Sequence, residues 1–213
     1  MEIEMENVGK TIRGTVIIKD ISLHWSSGNI YWLQGYNGCG KTMLMRLASG
    51  LIRPTSGKIF VDEKILGKEL DFPPSAGILL ENPAFLSSYT GFKNLSIIAG
   101  ITGNIGKEDI KTTLNRVGLD PDDKRKYRKY SLGMKQRLGV AAAIMEKPEL
   151  IILDEPTNSL DESGVQMVIK ILKEEKARGA LIVMACHEAE RLRDVSDAIY
   201  TIEAGAITKV ITH

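Results

Sequence analysis

The chain has 213 residues and a formal net charge of +1, because 28 Lys and Arg residues nearly balance 27 Asp and Glu residues. Its hydrophobic content of 43% and charged content of 26% exclude collagen-like, disordered and disulfide-rich classes. The near-neutral charge argues against bulk electrostatic attraction, and we predict no nucleic-acid partner. The longest apolar run, 180–186, is far shorter than the about 20 residues that a membrane-spanning helix needs. Two cysteines without a pairing pattern indicate a reducing compartment.

The first part of the chain contains strand patterns separated by glycine-rich turns. Residues 2–8 and 15–25 alternate apolar and polar side chains, which predicts antiparallel strands. An apolar periodicity of about 3.6 residues predicts a helix over 41–49. Shorter strands are predicted at 30–34, 58–61 and 77–80.

The pattern changes to helical after residue 81 and returns to alternating strands and helices after Pro148. Predicted helices lie near 91–100, 107–117, 131–146 and 163–178, and predicted strands at 150–153 and 180–186. Continuous apolar strands separated by helices indicate a parallel sheet with both faces covered. We therefore predict one α/β domain over 1–213, with a mostly parallel core sheet and an N-terminal antiparallel β subdomain. The core comprises 1–81 and 147–213, and a helical subdomain, 82–146, is inserted into it.

A glycine-rich loop between a predicted strand and a predicted helix fits the pattern G-x-x-x-x-G-K-[ST]. Its residues are Gly35, Tyr36, Asn37, Gly38, Cys39, Gly40, Lys41 and Thr42. Glycines let successive backbone N–H groups point at phosphate oxygens, and the helix N-terminus adds a positive dipole end. Lys41 reaches the phosphates as a point charge, and Thr42 offers a hydroxyl to Mg²⁺. The pattern predicts nucleotide binding without naming the nucleotide.

A second candidate site follows the apolar strand 150–153, which ends in Asp154 and Glu155. Ligands bind at the carboxyl ends of the strands in an open α/β sheet. Asp154 is predicted to hold Mg²⁺ opposite Thr42, and Glu155 to polarise an attacking water. An apolar strand ending in an acidic turn is common, so this interpretation depends on the phosphate loop.

Two further segments and an isolated histidine complete a set of motifs with the phosphate loop and the acidic strand end. In the order in which these motifs occur, the sequence resembles the nucleotide-binding subunit of ATP-binding cassette (ABC) transporters. Tyr130–Met134 corresponds to the signature segment of that family, and His187 resembles its switch histidine. The segment that resembles the D-loop comprises Ser159, Leu160 and Asp161. The residues that match the signature are Ser131, Leu132, Gly133 and Met134.

The resemblance implies an ATPase that uses ATP and Mg²⁺ and works as a head-to-tail dimer with a second copy or a paralogue. In such a dimer Ser131 meets the γ-phosphate of ATP bound to the other subunit. Lys41, Glu155 and His187 are the implied catalytic residues. The resemblance also implies a separate transmembrane permease subunit, at the cytoplasmic face of a cell membrane, with a bacterial cytoplasm favoured.

The sequence departs from the family pattern at several positions. Glu81 replaces the usual glutamine at the start of the helical insertion, so Glu81 joins Thr42 and Asp154 as a candidate metal ligand. Leu132 and Met134 replace a glycine and a glutamine of the signature. We align the position of the usual adenine-stacking aromatic near Ile12, which offers only apolar contact.

Glu81 and the signature Ser-Leu-Gly-Met-Lys-Gln resemble the subgroup that exports peptide antibiotics and bacteriocins or confers immunity to them. A soluble ABC ATPase that acts as an assembly or scaffold factor is the alternative, because it shares every motif. A small-molecule kinase is disfavoured because it leaves the signature helix without a role.

Cys39 is interpreted as a small residue that fills space in the phosphate loop. We also predict that maleimide reagents label Cys39 and that bound ATP slows this labelling. The basic segment 124–129 is interpreted as a solvated loop, with contact to a membrane partner as the alternative.

Overall fold

The computed structural model describes residues 1–81, 83–186 and 192–212. Within these ranges the helices are α1 (Lys41–Ala48), α2 (Gly91–Thr102), α3 (Lys107–Arg116), α4 (Leu132–Ile144) and α5 (Glu162–Ala177). The strands are β1 (Glu2–Ile12), β2 (Thr15–Ser26), β3 (Ile30–Gln34), β4 (Ser56–Val61), β5 (Lys64–Ile65), β6 (Ala76–Leu79), β7 (Leu150–Asp154), β8 (Leu181–Ala185), β9 (Ala198–Glu203) and β10 (Ala206–Thr212).

The N-terminal strands form an antiparallel sheet in the order β2-β1-β4-β5. Along β1, Ile3 and Met5 are buried whereas Glu2 and Glu4 face solvent. This alternation is the one expected of a sheet with one packed face and one wet face. The predicted antiparallel β subdomain is confirmed. Strand β1 extends four residues beyond the predicted end at residue 8, because its pairing with β2 continues past the bulges between the two strands.

The second sheet has the order β10-β9-β3-β8-β7-β6 in the described part of the chain. Every pairing from β9 to β6 is parallel, and β10 is antiparallel to β9 at the edge. All five residues of β7 and of β8 are buried. The predicted, mostly parallel core sheet with covered faces is therefore confirmed.

Helices α2, α3 and α4 follow β6 at nearly the predicted positions. Leu95 of α2, Ile110 of α3 and Leu138 of α4 share one apolar cluster with Ile151 and Leu153 of β7. Each such side chain contributes about 1.5–3 kcal/mol when it leaves water. The α4 helix also packs directly on β6, so the inserted helices share the core of the sheet instead of forming a separate one. The subdomain boundaries at 82 and 146 stay predictions.

The alternate faces of the buried strands serve different layers. Ile152 and Val183 point into a cluster with α1 and the antiparallel sheet, whereas Ile151 and Met184 point toward the helical layer. Because β3, β8 and β7 are neighbouring parallel strands, their carboxyl ends lie side by side at one edge of the sheet, where the loops that follow them meet. No helix of the described ranges is long and apolar enough to cross a bilayer.

Candidate nucleotide-binding site

The phosphate loop leaves β3 at Gly35 and returns as α1 at Lys41. A Cβ atom on Gly35 would lie 2.3 Å from the Ile202 carbonyl oxygen and 2.6 Å from the Cys39 Sγ, so only glycine fits there. The loop is thus pressed against the end of β9. Its curl is set by this close approach as well as by glycine's backbone freedom.

Lys41 lies at the first position of α1, with only 7% of its surface exposed. Its Nζ donates hydrogen bonds to the carbonyl oxygens of Gly35 at 2.7 Å and Tyr36 at 3.1 Å. The ammonium group is therefore held inside the curl of the loop, next to the positive end of the α1 dipole. This combination of a buried cation and a helix N-terminus is a phosphate-binding arrangement.

Thr42 and Asp154, the two candidate magnesium ligands from separate motifs, are brought together. The Thr42 Oγ1 donates a 2.6 Å hydrogen bond to the Asp154 Oδ2, and Asp154 is 5% exposed. A hydroxyl and a carboxylate are oxygen ligands that Mg²⁺ prefers, and this ion usually keeps waters and phosphate oxygens as its other ligands. The described residues contain no cluster of three or more His, Cys, Asp or Glu side chains that could hold a metal. The donor set fits Mg²⁺ bound together with a nucleotide.

Glu155 follows β7 directly and has φ of +50°, in the left-handed region that non-glycine residues rarely adopt. Its N–H donates to the Ala185 carbonyl at 2.8 Å. Its carbonyl oxygen accepts from the Gln136 Nε2 at 2.8 Å and from the Asn158 N–H at 3.1 Å. The main chain of this candidate base is thus fixed by a strand, a helix and its own turn.

Glu81 makes an ion pair with Arg46 of α1. Its side chain is 62% exposed, and both residues line the same cavity as Thr42 and Asp154. The carboxylate is already paired with a cation, which offsets the negative charge that this residue adds near the phosphates. A metal-binding role for Glu81 stays a prediction.

The signature segment begins α4. Ser131 is the N-cap, with φ −63° and ψ 164°, and its Oγ accepts from the Met134 N–H at 3.2 Å. Leu132 is 69% exposed, so its side chain projects from the surface. A Cβ on Gly133 would lie 3.0 Å from the Ser159 carbonyl oxygen, which shows how closely the signature approaches the D-loop segment of the same chain.

The D-loop segment continues into α5. Ser159 has φ of +63°, and Asp161 is the N-cap of α5, accepting from the Gly164 N–H at 2.9 Å. This backbone hydrogen bond, together with one from the Ser163 hydroxyl, lowers the pKa of Asp161. Arg137 of α4 reaches the same carboxylate at 3.4 Å, which adds another tie between the signature helix and the D-loop segment.

The loops at this edge enclose an open cavity of about 720 Å³. Its described lining residues are Ile17, Asn37, Gly38, Gly40, Lys41, Thr42, Met43, Arg46, Glu81, Gln136, Asp154, Glu155, Thr157, Asn158, Ser159, Leu160 and Cys186. The size is within the range typical of small-molecule sites. The cavity unites the phosphate loop, the acidic strand end and part of the D-loop segment.

Ile17 of β2 is an aliphatic residue of the lining, whereas Ile12 is not among the described lining residues, so the alignment of the adenine-contact position with Ile12 stays a prediction without a contact in the cavity. Cys39 is 1% exposed, which supports its interpretation as a filler and means that a reagent reaches it only when the loop opens. His187 lies outside the described residues, so its role stays a prediction.

Two lining residues that make direct contacts in the site have no role assigned from the sequence. Gln136 contacts Glu155, and Arg46 pairs with Glu81. Both residues lie on helices that are recognised from their apolar residues, so the helix pattern gives no sign of these two polar side chains. Their importance arises from contacts between segments distant in the sequence, which no local pattern encodes.

Comparison with known proteins agrees with this geometry. A family model described as "ABC transporter" matches residues 18–158. The uncharacterised ABC transporter ATP-binding protein YybJ of Bacillus subtilis is 43% identical over 96% of this chain and 94% of that protein. The bacitracin transport ATP-binding protein BcrA of Enterococcus faecalis is 36% identical over 98% of this chain and 68% of that protein. The lantibiotic transport ATP-binding protein SrtF of Streptococcus pyogenes is 32% identical over 96% of this chain and 88% of that protein.

Among solved structures, a dimeric ATP-binding cassette in a post-hydrolysis state, bound to ADP and Pi, has a TM-score of 0.89. It covers 99% of this chain and 98% of that chain at 18% identity, and therefore supports the fold alone. The relatives that are named for bacitracin and lantibiotic transport confirm the resemblance to the peptide-antibiotic type. Taken with the phosphate loop and the acidic strand end, these matches show that the chain belongs to the ATP-binding ATPases of the ABC transporter family.

Proposed function

We propose that this chain hydrolyses ATP as a head-to-tail dimer and thereby drives a separate membrane-spanning permease. The observation that carries the proposal is the hydrogen bond from Thr42 to Asp154, which lies in one cavity with Lys41 and Glu155. Phosphoryl transfer to water requires a cation that binds phosphate, oxygen ligands for Mg²⁺ and a base. All of these candidate groups lie in this one cleft.

Each side chain has a task in the proposed mechanism. Lys41 and the loop N–H groups hold the phosphates, and their fixed charge and dipoles stabilise the negative charge that develops on transfer. Thr42 and Asp154 hold Mg²⁺, which supplies charge neutralisation when it is bound. Glu155 orients the attacking water and accepts its proton. Glu81 remains paired with Arg46 and assists at the metal only through water.

Dimerisation is supported by the exposure of the signature segment. Ser131 and Leu132 lie at the surface, and the N-terminus of α4 presents backbone N–H groups there. A helix N-terminus attracts anions, so a phosphate held by a second copy is a suitable ligand for it. ATP would then be gripped by both chains, and its hydrolysis would remove the charge that joins them.

Coupling to a permease is supported by the relatives and by the helical layer. The named relatives are transport ATP-binding proteins for bacitracin and a lantibiotic. In this chain Leu86, Tyr89 and Ile101 are exposed on the helical layer, and Ile101 is 81% exposed. Exposed apolar side chains in this part of the chain are candidates for contact with a protein partner. The proposed location is the cytoplasmic face of the cell membrane, and the proposed process is export of, or resistance to, an antimicrobial peptide.

The test of the motor is the Glu155→Gln variant, with Glu203→Gln at the exposed end of β9 as the matched control. We expect Glu155→Gln to bind ATP, to lose steady-state hydrolysis, and to elute as a dimer in ATP and as a monomer without it. Glu203→Gln should hydrolyse ATP like the unmodified chain. A Glu155→Gln protein that stays monomeric in saturating ATP would contradict the head-to-tail mechanism.

The test of the transport role separates a permease partner from the alternative of a soluble assembly factor. The tagged chain, extracted in mild detergent from its own cells, is expected to co-purify with a multi-spanning membrane protein. Cells that carry Lys41→Ala are expected to become sensitive to an antimicrobial peptide. Co-purification with soluble assembly proteins alone would favour the alternative.

A further inference from the structure

We propose that Gln136 is a positioning residue that holds the main chain of Glu155 in its working orientation and links this residue to the signature helix α4. The inference rests on the proposed function, in which Glu155 directs the attacking water. It adds a residue to the site that the motifs leave without a task.

Gln136 lies in the second turn of α4 and is 6% exposed. Its Nε2 donates a 2.8 Å hydrogen bond to the Glu155 carbonyl oxygen, and both residues line the cavity. Buried side-chain amides are retained where they have hydrogen-bond partners, because an unpaired one is costly. The carbonyl of Glu155 is the described partner of this amide group.

The backbone of Glu155 requires such support. With φ of +50° it occupies a strained region for a residue with a side chain, and such a conformation persists only where neighbouring contacts impose it. The Ala185 carbonyl accepts from its N–H, and the Asn158 N–H donates to its carbonyl within the same turn. Gln136 adds the contact from α4 and so ties the turn to the helical layer.

The contact has a consequence for a dimer. Ser131, the N-cap of α4, precedes Gln136 by five residues, so about one and a half helical turns separate the two. Ser131 is expected to face the ATP of the partner copy, whereas Glu155 serves the ATP of its own chain. A rigid helix between them allows occupancy of one site to affect the water-directing residue of the other.

The experiment uses the full chain with Gln136→Met, which keeps the length of the side chain and removes its N–H donor. Gln166→Met, at an exposed position of α5, is the matched control. Hydrolysis rates at saturating Mg-ATP, the ATP dissociation constant by calorimetry and the melting temperature are measured for each. We expect kcat of Gln136→Met to fall by about ten- to a hundredfold, as misplacement of a reacting group does, with an unchanged dissociation constant. The control should match the unmodified chain.

A second variant, Gln136→Glu, gives a readout that a merely structural role would not move. Burial raises the pKa of a carboxyl group, and the protonated form regains a donor for the Glu155 carbonyl. Relative to the unmodified chain, hydrolysis by Gln136→Glu should therefore recover as the pH falls from about 8 to about 6. If Gln136→Met melts below the assay temperature, this pH profile decides.

The proposal is overturned if Gln136→Met hydrolyses ATP at the unmodified rate, if its ATP affinity falls by the same factor as kcat, or if Gln136→Glu shows no recovery at low pH. These outcomes are distinct from failure of the proposed function. If Glu155→Gln itself continues to hydrolyse ATP, the role of Glu155 is wrong whatever the Gln136 variants do. If Glu155→Gln is inactive and Gln136→Met is not, only the positioning role is wrong.

Discussion

The Thr42 hydroxyl donates a 2.6 Å hydrogen bond to the Asp154 carboxylate across 112 positions of sequence, and this bond joins the phosphate loop to the acidic strand end. Asp154 is almost fully buried, so a partner for its carboxylate is needed. The bond holds the Thr42 hydroxyl and the Asp154 carboxylate, the two proposed magnesium ligands, in contact. It is the contact through which two separate motifs become one site.

Removing this hydroxyl should weaken the use of Mg²⁺ more than the binding of nucleotide without metal. In Thr42→Val, which keeps the shape of the side chain, we expect the Mg²⁺ concentration for half-maximal hydrolysis to rise at least about tenfold. The free energy of unfolding should fall by about 1–3 kcal/mol, because a buried carboxylate loses its donor. Thr42→Ser, which keeps the hydroxyl, is the control and should stay close to the unmodified chain. Equal Mg²⁺ requirements in the two variants would argue against a metal role for Thr42.

The Arg46–Glu81 pair should matter for nucleotide binding more than for stability. Both side chains are partly exposed, and ion pairs of this kind contribute about 0–1 kcal/mol. In Arg46→Met, the unpaired Glu81 carboxylate repels the phosphates, so we expect a higher KM for Mg-ATP with a similar melting temperature. The double variant with Glu81→Gln should restore the KM. A double-mutant cycle measured by ATP titration at low and high salt tests this, and additivity of the two changes would contradict it.

Asp161 should stabilise α5 over a wide pH range. Hydrogen bonds from the Gly164 N–H and the Ser163 hydroxyl lower its pKa below the ordinary aspartate value of 3.8. A group with a lowered folded-state pKa stabilises the protein above its unfolded pKa, and this contribution is lost as the pH falls through the folded value. The cap should therefore be fully effective at neutral pH and weaken only below about pH 4.

Substitution of Asp161 measures how much this N-cap contributes to the free energy of unfolding. Asp161→Ala should lower the free energy of unfolding at pH 7, and Asp161→Asn, which keeps an N-cap acceptor without the charge, should lower it less. Chemical denaturation of both variants at pH 7 and pH 3 checks the pair. A loss in Asp161→Ala that is as large at pH 3 as at pH 7 would show that the ionised carboxylate is not responsible.

Cys39 provides a probe of loop opening. Its sulfur is buried beside Gly35, so maleimide labelling in the folded chain should be far slower than in denaturant. ATP should slow it further, because bound phosphates hold the loop closed and ligand binding stabilises the closed form. Peptide mapping by mass spectrometry follows Cys39 separately from the second buried cysteine, Cys186, which also lines the cavity. Labelling of Cys39 at the same rate with and without ATP would contradict the loop assignment.

The predicted elements agree closely with the structure where local signals are strong. Strands β3, β6, β7 and β8 of the parallel sheet match predicted strands, and the apolar runs of β7 and β8 are visible because burial on both faces removes polar residues from them, whereas β9 and the edge strand β10 have no predicted counterpart. The helix α4 was predicted over 131–146 and spans Leu132–Ile144, because a serine N-cap marks its start. Strand β1 continues to Ile12, beyond its predicted end at residue 8, because bulges between residues 5 and 11 interrupt the two-residue alternation from which strands are recognised.

By itself the sequence determined the fold class and the phosphate loop with Lys41 and Thr42, and it predicted that this loop acts together with Asp154 and Glu155. Glycine spacing, helix caps and apolar periodicity are local constraints, and each can be identified within one segment. Tertiary structure alone decided that Arg46 neutralises Glu81, that Ile17 lines the cavity, and that Gln136 supports Glu155. These contacts join residues distant in the chain, and the packing of helices on the sheet sets their geometry without leaving a pattern in either segment.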